Sequence, residues 1–77
     1  MIDDRIKKTM SAILGVPVVE INNESSPTSI DKWDSLRHMN LIIGLEEEFG
    51  VCFSDTSIPE MVSYKLIKNE IQRILSQ

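Results

Sequence analysis

A carboxylate, a hydroxyl and an imidazole stand close together at Asp34, Ser35 and His38 of this 77-residue chain. Ser35 and His38 are one helical turn apart, a spacing at which an imidazole can reach a hydroxyl and act as its general base. A serine nucleophile needs more than that. It needs a strained turn to expose it, a third group to orient the histidine, and N–H donors for the oxyanion. The residues around Ser35 supply no such elbow and no orienting carboxylate at an evident spacing, so hydrolytic catalysis is not expected. Taken by itself, a serine directly after an aspartate reads as the first turn of a helix with Asp34 as its N-cap.

The other reactive side chains are scattered. Cys52 is the only cysteine, which excludes an internal disulfide and suits a reducing compartment. It lies between Val51 and Phe53, the better core candidates, and is expected to be partly exposed and functionally inert. No Cys/His cluster accompanies His38, so no metal site is expected. On a helical wheel His38 points to the core side, where a half-buried, hydrogen-bonded role fits it. Glu46, Glu47 and Glu48 read either as a solvated run or as a contact patch.

The elements that position these groups are helices. Ile2, Ile6, Met10, Ile13 and Leu14 recur at helical spacing, Asp3 and Asp4 favour the positive end of the helix, and Gly15 with Pro17 stops it. A second helix is expected over Ser35–Phe49, capped by Asp34 and ended by Gly50. Gly44 inside it marks a close contact or a partner. Ser57-Ile58-Pro59-Glu60 reads as a capping box opening a short helical turn. Ser63 caps a last helix whose stripe is Ile67, Ile71, Ile74 and Leu75, with Tyr64 packing at its start. Between the first two helices, Val16–Trp33 is rich in turn formers. Such a long loop is unusual in a compact domain, and Ile21 and Ile30 should pin it to the core around a mobile middle. The expected fold is all-α: a single domain over residues 1–77, built as a bundle of three main helices and one short one.

Composition narrows the function further. Hydrophobic residues make up 42% and charged residues 26%, as in an ordinary globular domain, while aromatics are only 5%. One small core leaves little chain for the walls of an enzyme cleft. The net charge of −4 disfavours nucleic acid, whose binders cluster Lys and Arg, and suits a partner with a basic patch. No stretch has the roughly 20 apolar residues of a membrane span, and Met1-Ile2-Asp3-Asp4 does not look like a signal peptide. A cytoplasmic monomer is expected.

The second helix has more apolar surface than a bundle can cover. Its apolar positions fill an arc of roughly 220°, about twice what a surface helix needs. Leu41, Ile42, Leu45 and Phe49 suffice as a core stripe. Leu36, Met39 and Ile43, next to Glu47, are then expected to be exposed as a docking face for another protein.

Trp33-Asp34-Ser35-Leu36, then Met39, Leu41, Ile42 and Leu45-Glu46-Glu47-Glu48-Phe49-Gly50-Val51, resemble the core of the acyl carrier proteins. Ile6-Lys7-Lys8 and Leu14-Gly15-Val16 look like that family's first helix, and the long loop and two final helices fall in the family's order. The resemblance implies a phosphopantetheine-dependent carrier without enzymatic activity. It implies a covalent 4′-phosphopantetheine on Ser35, received from a phosphopantetheinyl transferase, with Asp34 helping to position the transferase's metal and cofactor. Acyl groups would be held as thioesters on the arm's own thiol, loaded by a ligase or transferase and passed to downstream enzymes. Leu36, Met39, Ile43 and Glu47 would meet these partners. Arg37 and His38 after the motif, and Trp33 before it, look more like stand-alone carriers of specialised pathways than housekeeping fatty-acid carriers. Two other readings remain open: an aminoacyl or peptidyl carrier, and an unmodified adaptor docking through the second helix.

Overall fold

The computed structural model describes residues 2–76, and within them the fold is all-helical. Helix α1 spans Ile2–Leu14, α2 Ser35–Phe49 and α3 Tyr64–Leu75. Two single 3₁₀ turns, Val18–Glu20 and Ile58–Glu60, lie in the connections. The first of these was not expected from the sequence, because Val18 and Val19 are poor guides to helical structure on their own.

The helix limits follow from their caps. Asp34 has extended backbone and its side chain accepts from Arg37 N, and Ser63 does the same for Leu66 N. Gly50 closes α2 with a φ of 63°, a left-handed conformation that costs glycine nothing. The expected capping box at Ser57 is not formed. Ser57 is already helical, with φ −78° and ψ −35°, and makes no side-chain cap bond. The turn begins earlier, where Ser54 Oγ accepts from Ser57 N and donates to Ser57 Oγ.

Each helix contributes its apolar stripe to one core: Ile6, Met10 and Leu14 from α1, Leu41, Ile42 and Leu45 from α2, Ile67 and Ile71 from α3. A Cβ on Gly44 would stand 3.4 Å from Thr9 Cγ2 and 4.0 Å from Ile13, so α1 approaches α2 closely here. Two apolar residues sit further out than expected. Phe49 is only partly buried, since it ends α2 at the core's edge, where the Arg5 guanidinium covers its ring at 4.4 Å. Leu75 is exposed because α3 runs past the core beyond Ile71 and Ile74.

The long loop is pinned by Ile21 and Ile30, as expected, and also by Trp33. Its expected mobile middle is hydrogen-bonded. Asn22 N donates to Ser25 Oγ, Ser25 N donates to the Asn22 carbonyl, and the Ser25 carbonyl accepts from Tyr64 N. Buried Ser25 thus ties the loop to the start of α3.

Tyr64 does more than pack. Its hydroxyl donates to Asp3 Oδ1, which also takes Lys68 Nζ at 2.8 Å, so α1 and α3 are joined at one end. Hydrogen bonds from Lys68 and then Tyr64 hold the Asp3 carboxyl below its usual range. Burial, then the bond to Asp3, pushes the Tyr64 phenol above the ordinary tyrosine range. A raised phenol pKa favours the folded state below the unfolded value near 10, and that contribution disappears as pH rises past it. Tyr64→Phe should therefore cost about 1 kcal/mol at neutral pH and lose less stability than wild type on going above about pH 10. Urea titrations at several pH values check both.

Candidate functional site

Ser35 is the first residue of α2 and is exposed. Helix geometry leaves the first-turn N–H groups without intrahelical acceptors. Asp34 Oδ1 takes the Arg37 N–H at 2.8 Å, and the Asp34 carbonyl starts the helical ladder by accepting from His38 N. The N–H groups of Ser35 and Leu36 have no acceptor among the described residues and lie at the positive end of a 15-residue helix. This suits a negative group attached to the Ser35 oxygen. The other Asp34 oxygen meets Arg37 at 3.4 Å, an exposed pair worth little in stability.

Ser35 opens onto an apolar groove of about 530 Å³ that also contains Pro27, Trp33, His38, Met39, Ile58, Pro59 and Val62. Trp33 Nε1 donates to His38 Nδ1 at 3.0 Å, and His38 Nε2 lies 2.8 Å from the Ile58 carbonyl oxygen. His38 is thus half-buried, and both its ring nitrogens are engaged by partners other than the Ser35 hydroxyl.

The split of α2 into two faces is as the sequence implies. Leu36, Met39 and Ile43 are 72%, 47% and 51% exposed, against full burial of Leu41 and Leu45. The exposed face borders two grooves. Met39 lines the Ser35 groove, whereas Leu36, Ile43 and Glu47 line a second groove of about 470 Å³ against Ala12 and Ile13 of α1.

The acidic run resolves into three environments. Glu46 accepts from Phe53 N at 2.9 Å, holding the chain after α2, and Glu48 pairs with Arg5 at 2.8 Å. Glu47 is exposed and, among the described residues, makes neither an ion pair nor a side-chain hydrogen bond, so it is available to a partner. Cys52 is exposed while Phe53 beside it is buried.

Sequence reasoning missed part of the groove. Pro59 and Val62 come to Ser35 from the α2–α3 connection, and no periodicity relates them to α2. The Trp33–His38 bond was missed too, because Trp33 lies outside the helix, where a helical wheel does not place it. No described helix is long and apolar enough to cross a membrane. No protein-family model matches the chain, so the likeness to acyl carrier proteins rests on the residues that carry it.

Proposed function

We propose that this protein is an acyl carrier that bears 4′-phosphopantetheine on Ser35 and performs no catalysis itself. The observation that carries the reading is an accessible hydroxyl at the first position of a capped helix, within the Trp33–Leu36 motif. A transferase can reach that hydroxyl from solvent. Attack of Ser35 Oγ on the pyrophosphate of coenzyme A forms the serine–phosphate bond and expels the adenosine bisphosphate, with the hydroxyl proton passing to a base on the transferase. The phosphodiester left behind is anionic and sits at the positive end of α2. Cargo then rides on the arm's terminal thiol, so no cysteine of the chain is needed. Incubation with coenzyme A and a broad-specificity transferase tests the reading, and a chain that keeps its unmodified mass contradicts it.

Partner enzymes, beginning with the transferase, dock on Leu36, Met39, Ile43 and Glu47. Leu36→Ala and Ile43→Ala should each raise the transferase's KM for the carrier roughly tenfold with little change in kcat, the effect of removing uniform binding. Steady-state kinetics over carrier concentration decide this. Wild-type KM in both variants would place the docking surface elsewhere.

The cargo belongs to a specialised pathway, such as glycan, polyketide or other secondary-metabolite assembly, loaded by a dedicated ligase or transferase. Arg37 and His38 follow Leu36 where many fatty-acid carriers have an acid, and a changed sign near a docking site alters partner choice and encounter rate. The modified protein should therefore support little elongation by a reconstituted bacterial fatty-acid synthase. Elongation at the rate of a housekeeping carrier contradicts this assignment.

A further inference from the structure

Three segments meet beside Ser35 through two hydrogen bonds. Trp33 lies before the α2 cap, His38 one turn into α2, and Ile58 in the second 3₁₀ turn. An indole N–H can only donate and a carbonyl can only accept, so the imidazole between them accepts at Nδ1 and donates from Nε2. This fixes one neutral tautomer. The two rings also stack, with centroids 6.0 Å apart and planes 25° from parallel. Trp33 is 2% exposed, so its N–H has no ready substitute in water if the imidazole is lost, and an orphaned buried donor costs more than the bond is worth. Ile58 begins the segment that carries Pro59 and Val62, which line the same groove as Ser35.

We infer that His38 is a positioning residue. By joining Trp33 to the Ile58 carbonyl, it holds the Pro59–Val62 wall at a set distance from Ser35 and so sets the direction in which a group attached there leaves the protein. The inference rests on Ser35 being the attachment site. Met39, which lines the same groove, has no donor to offer a carbonyl.

The test uses the full chain, unmodified and loaded with phosphopantetheine from coenzyme A, followed by amide and indole NMR. Trp33 is the only tryptophan, so its indole N–H gives a single signal. In unmodified His38→Ala, protection of that N–H from solvent exchange should fall roughly fivefold. Loading of His38→Ala should still add one arm, since the Asp34 cap and the Ser35 hydroxyl are untouched. In wild type, loading should shift the amide signals of Ile58, Glu60 and Val62. In His38→Ala those shifts should be clearly smaller, because the hydrogen bond that fixes the wall is gone. His38→Gln keeps an N–H for the Ile58 carbonyl and should restore them, which a loss of ring packing alone would not allow. Trp33→Phe keeps the buried ring while removing the donor, and should lower the same shifts even if His38→Ala fails to fold. Wild-type shifts at Ile58–Val62 in a loaded His38→Ala or Trp33→Phe protein overturn the role of His38 and leave the carrier standing. A wild-type chain that takes no arm overturns both.

Discussion

Leu45→Ala should remove a large share of the protein's stability, whereas Leu36→Ala in the same helix should barely change it. Leu45 is fully buried and Leu36 is 72% exposed. Truncating a buried leucine costs about 2–5 kcal/mol, from lost transfer energy and the cavity left behind. At typical stabilities per residue, a domain of this length has only roughly 4–12 kcal/mol to lose. A surface truncation usually stays within about 0.5 kcal/mol. With a urea m-value of roughly 1 kcal/mol/M for so small a chain, the Leu45→Ala midpoint should fall by several molar. The comparison holds residue type and helix constant, so burial is the only large difference. Equal losses at the two positions would mean that Leu36 is covered, and the docking face would not exist.

The helices were legible because each carries its own start and stop signals. Asp34, Ser63, Gly15 and Gly50 all act through local backbone chemistry, and the bounds of α1, α2 and α3 follow from them. The inner and outer faces of α2 were legible because 3.6-residue periodicity separates Leu41 and Leu45 from Leu36 and Ile43. What escaped was set by tertiary contacts. Phe49 has the spacing of a core residue, but it lies at the end of its helix under Arg5. Ser57 has the sequence of a cap, yet Ser54 starts the turn three residues sooner. Tyr64 reaches Asp3 across almost the whole chain, and Ser25 meets the start of α3 from the loop. None of these pairings has a period or a motif.

The candidate site divides in the same way. Asp34 and Ser35 could be read from cap chemistry and the family likeness, and His38 from its position on the wheel. The groove wall of Pro59 and Val62 could not, because only the path of the α2–α3 connection brings it to Ser35.

Ser35→Ala should abolish loading completely while leaving the fold intact. Ser35 makes no side-chain hydrogen bond among the described residues, and the α2 cap depends on Asp34, so alanine at the first helical position removes little besides the nucleophile. No neighbouring hydroxyl can replace it at a helix start within the motif. Intact mass of the wild-type and Ser35→Ala proteins, each incubated with coenzyme A and a broad-specificity phosphopantetheinyl transferase, measures this directly, with circular dichroism confirming equal helicity. One phosphopantetheine on the wild type and none on the variant is the predicted result. An arm that still attaches to Ser35→Ala, or a wild-type chain that remains at its unmodified mass, would contradict the carrier assignment, and the second outcome would leave a docking adaptor in its place.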